Sequence, residues 1–136
     1  MAKHYVNPYV SINNVDLSDH VREVTINMER EDLDATCSGA SGKERIPGLR
    51  DESFEMTLAQ DFDGSEVDAT LTGLYTDGTR FEVIVKPRAG STSSTNPAFE
   101  GNVYLLSYPP LSGAVGVLAE TQIKLPVDGV ITRATT

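Results

Sequence analysis

Phe54-Glu55-Met56-Thr57-Leu58-Ala59 places Phe54, Met56 and Leu58 on one side of an extended chain and Glu55, Thr57 and Ala59 on the other. A period of two is that of a β-strand, and an apolar/polar split of this kind marks a sheet with one buried face and one wet face. The same alternation sets Val24, Ile26 and Met28 against Thr25, Asn27 and Glu29, and Phe81, Val83 and Val85 against Glu82, Ile84 and Lys86. Further strands are expected at Tyr9 to Ile12, at Gly101 to Tyr108, and at Leu118 to Leu125, where Ala119, Thr121, Ile123 and Leu125 share a face. Asn13-Asn14 tolerates positive φ and suits a tight reversal into Val15 and Leu17. About six or seven strands follow from this pattern.

One stretch carries a helical period instead. From Ser65 to Tyr75, Val67, Leu71 and Leu74 recur at i, i+4 and i+7, and Ser65 with Asp68 three positions on resembles a capping box. Asp61, Asp63, Glu66 and Asp68 around its first turn suit the positive end of a helix dipole. The fold class expected is therefore mainly β, with one helix (about residues 65-75) flanking the sheets. With 136 residues, no internal repeat and no shift in composition, the chain is expected to form one β domain over 1-136. Residues 37-50, rich in small residues and carrying Lys43, Arg45 and Arg50, read as a projecting loop or hairpin. Pro87 to Pro97 reads as a flexible loop, and Met1 to Pro8 and Pro126 to Thr136 as extended termini outside any periodic element.

Charge narrows the function. Twenty acidic residues against eleven basic ones give −9 at neutral pH. Tight binding to phosphate backbones relies on Lys and Arg releasing condensed counterions, so a chain of this balance is unsuited to gripping nucleic acid or anionic lipid. Acidity also serves solubility alone. No apolar run approaches the length of a signal peptide or a membrane span, so synthesis in the cytoplasm is expected. A single cysteine, Cys37, rules out an intramolecular disulfide and thiolate-rich metal sites.

Motifs for catalysis fail on spacing. Gly39-Ala40-Ser41-Gly42-Lys43 misses the nucleophile elbow by one position, and Gly42-Lys43 is followed by Glu44 where a phosphate loop needs Ser or Thr. Asp61-Phe62-Asp63-Gly64 starts like a calcium loop, but the later ligand positions hold Ser65 and Thr72. The two histidines, His4 and His20, stand outside any motif, and Cys37 has no Lys or His beside it. No catalytic, cofactor or metal residue is assigned on these grounds. A carbohydrate- or ligand-binding module would need an aromatic platform, for which four Phe, five Tyr and no Trp are few. Function is expected to lie in surfaces.

The order of several segments is similar to that of the tail tube (major tail) proteins of long-tailed bacteriophages. The stretches are Val10-Ser11-Ile12-Asn13-Asn14-Val15-Asp16-Leu17-Ser18-Asp19-His20-Val21-Arg22-Glu23-Val24-Thr25-Ile26, Asp34-Ala35-Thr36, Ile46-Pro47-Gly48-Leu49-Arg50-Asp51, Leu58-Ala59-Gln60-Asp61-Phe62, Asn96-Pro97-Ala98-Phe99-Glu100-Gly101 and Val130-Ile131-Thr132-Arg133-Ala134-Thr135. The resemblance implies a tail-tube-like β-sandwich or small barrel, a structural and non-enzymatic role in the virion, and assembly into stacked hexameric rings whose bore DNA passes without specific binding. It implies partners among copies of the chain and other virion proteins, and no membrane. It further implies that residues 37-50 reach a neighbouring ring, with Lys43, Arg45 and Arg50 meeting an acidic stretch that includes Asp61 and Asp63, and with Leu49 also among the contact residues. Opposite charges on separate surfaces make a head-to-tail contact that propagates into rings or filaments. Related β folds also serve as capsid decoration proteins or head–tail connectors, and the resemblance leaves those roles open.

Overall fold

The structure is a computed structural model that describes residues 8–64 and 66–136. Among them are eight strands: β1 (Tyr9–Ile12), β2 (Val15–Asp16), β3 (Val21–Asp34), β4 (Arg45–Ala59), β5 (Phe81–Lys86), β6 (Ala98–Val103), β7 (Glu120–Pro126) and β8 (Thr132–Ala134). One α-helix, α1 (Val67–Asp77), joins β4 to β5, and a short 3-10 turn (Ser18–His20) precedes β3. The strands form two antiparallel sheets, one ordered β2-β1-β5-β6-β8 and the other β3-β4-β7.

The alternation read from the sequence decides which faces meet. Phe54, Met56 and Leu58 of β4 and Thr121, Ile123 and Leu125 of β7 are buried, as are Phe81, Val83 and Val85 of β5 in the other sheet. All the apolar members of this set belong to one core cluster with Val10, Ile12, Leu17 and the helix residues Val67, Leu71 and Leu74. The arrangement is a two-sheet sandwich rather than a closed barrel. At its centre the Phe54 ring lies over Gly101 of β6, where a Cβ would approach it to 3.2 Å. Glycine at that position lets an aromatic ring from one sheet rest on the backbone of the other.

Local chemistry explains the turns. Asn13 and Asn14 have φ of 51° and 66°, joining β1 to β2 as their residue type favours. At the other end of α1, Gly78 is left-handed at φ 64°, and its N–H bonds the Leu74 carbonyl.

Several expectations need correction. The helix starts at Val67, its N-cap is Glu66, and no side chain caps it. Ser65, the first member of the expected capping box, lies outside the described residues. Asp68 is the second residue of the helix, not the third after its N-cap; its backbone N–H donates to the Asp61 carbonyl at 2.9 Å, and its carboxylate accepts from Tyr108. The strand expected to run to Tyr108 ends at Val103, and the chain continues in an irregular excursion up to Ala119 that contains Pro109, Pro110 and two positive-φ glycines, Gly113 and Gly116. The C-terminal segment is not free of regular structure. Ile131 is buried and β8 pairs with β6. Of the N-terminal segment, Met1 to Asn7 lie outside the described residues.

Because Phe54 is fully buried between the sheets, Phe54→Ala is expected to lower the free energy of unfolding by about 3–5 kcal/mol, measured by chemical denaturation. A loss below about 1 kcal/mol would contradict its central place in the packing.

Candidate functional site

The most unusual feature is the length of β3 and β4, 14 and 15 residues. Strand β7 covers β4 only from Ser53 to Ala59. Beyond it, Met28–Asp34 and Arg45–Glu52 pair with each other alone. The result is a two-stranded ribbon that extends roughly 20 Å past the end of β7, at about 3.3 Å per residue.

Its course is set by a bulge. Pairing shifts between Arg30 and Asp32, so that Gly48 and Leu49 oppose the single residue Glu31. A Cβ at Gly48 would lie 2.8 Å from the Glu31 Cβ and 3.3 Å from the Leu33 side chain, so only glycine lets the two strands approach this closely. Pro47 is tolerated because no further strand lies beside the ribbon. At the tip, the Asp34 carboxylate accepts from the Thr36 N–H at 2.9 Å, and the Thr36 hydroxyl accepts from the Glu44 N–H at 2.8 Å. Hydrogen bonds from the Thr36 hydroxyl and N–H hold the Asp34 carboxyl below its ordinary pKa.

The structure distributes the residues singled out from the sequence along this hairpin and away from it. Lys43 is exposed at the tip. Arg45 forms an ion pair with Asp32 across the ribbon, and both side chains are well exposed. The segment expected to be a projecting loop or hairpin is a hairpin, with residues 45–50 in strand β4. Leu49 is 77% exposed, and Met28, Leu33 and Ile46 on the same ribbon are also exposed. Arg50 turns back toward its own subunit. Its Nη2 donates to Glu52 at 2.9 Å and to the Ile131 carbonyl at 3.1 Å, while Glu52 Oε1 accepts from the Ile131 N–H at 2.8 Å. Glu52 is only 2% exposed. This buried carboxylate, satisfied on both oxygens, fastens the segment leading into β8 to the base of the ribbon.

Asp61 and Asp63 sit beyond the opposite end of β4, about 45 Å from Arg45 along the strand. Asp63 is exposed. Asp61 accepts from the His20 ring at 2.9 Å and from the Asp63 N–H at 3.0 Å. Those bonds, led by the Asp63 N–H, lower the Asp61 pKa. The bond to Asp61 in turn raises that of His20 against the opposing effect of burial, with Asp19 and Glu66 adding to the rise. One subunit therefore cannot bring its own ribbon tip to its own Asp61 and Asp63.

Two features escaped the sequence reading. The excursion between β6 and β7 exposes Leu106, Leu111, Val115, Val117 and Leu118. Its Pro and Gly content was the available signal. It is tied to α1 by Tyr108, whose hydroxyl donates to Asp68 at 2.7 Å and accepts from Gln60 at 3.0 Å. The Glu52–Arg50–Ile131 clamp gave no signal, since its members are 81 positions apart at most in sequence and joined only by the fold.

No family model matches the chain, and no curated protein matches it. Solved structures do. A chain from the virion of a native gene transfer agent particle aligns over 98% of this chain and 99% of its own length, with TM-score 0.75 and 16% identity. One from the tail of an empty particle of that kind, refined with C6 symmetry, covers 96% and 98%, with TM-score 0.72 and 16% identity. A chain of the SPP1 tail tube aligns over 96% of this chain and 77% of its own, with TM-score 0.75 and 15% identity. The chain has a tail-tube-like fold. At these identities side chains differ almost everywhere, and what is shared is the overall fold.

Substituting Arg50 by Ala leaves Glu52 buried without its cation, and a loss of about 2–3 kcal/mol in unfolding free energy is expected, since the guanidinium is partly solvated. Lys43→Ala should change stability by less than about 0.5 kcal/mol. Equal effects of the two in urea titrations would contradict the inward role of Arg50.

Proposed function

We propose that the chain is a self-assembling tail tube subunit, a structural rather than catalytic virion protein that forms stacked hexameric rings. The observation that carries this reading is the ribbon. An isolated two-stranded ribbon is marginally stable in water, and this one displays Met28, Leu33, Ile46 and Leu49 to solvent. Such a surface is stabilised when a neighbouring subunit covers it. The fold likeness to a tail refined with C6 symmetry supports six subunits per ring.

The contact is head to tail. The ribbon tip offers a neighbour Lys43, set beside the Arg45–Asp32 ion pair, Asp34 and Glu44, together with the apolar Ile46 and Leu49, and the far end of β4 leads into Asp61, Asp63 and the acidic first turn of α1. Complementary surfaces at opposite ends of one subunit cannot pair reciprocally, so they propagate. Arg50 contributes by fixing the base of the ribbon, and Leu49 by direct apolar contact.

The wet face of β3-β4-β7 suits a bore through which DNA passes. It presents Glu23, Thr25, Glu55, Thr57, Glu120, Gln122 and Lys124. Arg22 is paired with Glu120 at 3.1 Å and Lys124 with Glu55 at 3.9 Å. Paired bases offer little to a phosphate backbone, and the net charge of −9 adds repulsion.

In negative-stain images and light scattering, the purified protein is expected to form rings and tubes. Ile46→Asp/Leu49→Asp should abolish them while the monomer keeps its circular dichroism and unfolding midpoint. Tubes formed unimpaired by that variant would remove the ribbon from the contact. Discrete particles that bind only a capsid lattice would point instead to a decoration role.

A further inference from the structure

His20, Asp61 and Glu66 come together from three separate segments: the 3-10 turn before β3, the link after β4, and the N-cap of α1. His20 Nε2 lies 2.9 Å from Asp61 Oδ2 and 3.5 Å from Glu66 Oε2, and one donor atom from each residue falls within 4.8 Å of the others. The imidazole is 13% exposed. On its far side Nδ1 is held by the Asp19 carboxylate at 2.8 Å.

We infer that His20, Asp61 and Glu66 form a binding site for a divalent transition metal of the zinc type. Three observations support it. First, the donor set is one imidazole nitrogen and two carboxylate oxygens, which suits zinc and its neighbours better than calcium or magnesium. Bonds of about 2.0–2.1 Å in a tetrahedral shell separate ligand atoms by roughly 3.3 Å, between the 2.9 and 3.5 Å separations of Asp61 Oδ2 and Glu66 Oε2 from Nε2. Water completes the fourth position.

Second, the ring is already oriented for metal. A carboxylate on the Nδ1 hydrogen holds the ring so that Nε2, once its proton is displaced, is the nitrogen presented to a metal, the arrangement found behind metal-bound histidines. Asp61 is oriented in the same way, because its Oδ1 is occupied by the Asp63 N–H while Oδ2 faces the histidine.

Third, the cluster lacks positive charge. Asp19, Asp61 and Glu66 are three carboxylates, and among the described residues the one basic side chain paired with any of them is His20. A protonated imidazole leaves an excess of two negative charges. A divalent ion displaces the Nε2 proton to the buffer and, bringing two positive charges where one leaves, reduces that excess to one negative charge. The residues lie 41 positions apart at their widest hydrogen bond, which is why the abortive calcium-loop spacing at Asp61 to Gly64 conceals the site.

The test is calorimetric titration of chelator-treated protein with zinc chloride, paired with thermal unfolding in its presence and absence. One saturable site is expected, with a higher unfolding midpoint at saturation. His20→Gln, Asp61→Asn and Glu66→Gln should each weaken binding at least about tenfold, and Asp19→Asn by about 10–100-fold through loss of ring orientation. Glu66→Gln, on a partly exposed side chain, keeps the test valid if His20→Gln fails to fold. His4→Gln should leave the titration unchanged. No saturable binding, or binding that survives Asp61→Asn and Glu66→Gln, would overturn the site and leave the imidazolium as the cluster's own counter-ion.

Discussion

Strand β4 runs without interruption from Arg45 to Ala59, and everything else depends on that continuity. Its inner half is held on both edges, by β3 and by β7, with Phe54, Met56 and Leu58 buried. Its outer half has β3 alone. Hydrogen bonding passes from one half to the other with no loop between, so the ribbon takes its direction from a core that fixes its root. A flexible loop of equal length would have to lose its conformational freedom on every contact.

The root is reinforced where β7 ends. Glu52 is a buried carboxylate at the point where the core gives way to the ribbon, and it binds Arg50 together with the backbone of Ile131. Burying a charge is costly unless it is paired and hydrogen-bonded, and here both oxygens are engaged. The C-terminal segment, through Ile131 and β8, thereby joins the first sheet to the second at the base of the projection. In the proposed assembly a projection that meets a neighbour needs such an anchor, and one charged network supplies it where apolar packing runs out.

The period-two stretches over the core were legible because they bury one face, and faces are visible in a sequence; Met28, expected inward with Val24 and Ile26, is 49% exposed because it lies on the ribbon beyond the core. Phe54, Val83 and Ile123 lie where alternation puts them, and the Asn13-Asn14 reversal follows from residue type. The extent of the hairpin was not legible. Residues 37-50, rich in small residues, read as a projecting loop or hairpin without a division between the two; the pairing of Arg45 to Arg50 with Arg30 to Asp34 is interrupted at Gly48 and Leu49 by a bulge within the strand. Arg50 looked like a free surface charge because its partner Ile131 is 81 positions away. His20 was set aside for the same reason, its partners Asp61 and Glu66 being brought to it by tertiary structure alone. Local pattern shows which side of a strand is inside; it does not show which distant charge a side chain will meet.

The central claim is that the outer ribbon is completed by a neighbouring subunit. Amide hydrogen exchange on the monomer and on the assembled protein tests it most directly. In the monomer, amides of Ser53 to Ala59 should be protected and those of Met28 to Asp34 and Arg45 to Asp51 should exchange rapidly; on assembly the latter should slow by about two orders of magnitude or more as the ribbon is covered. Equal exchange of the ribbon in both states would contradict the account.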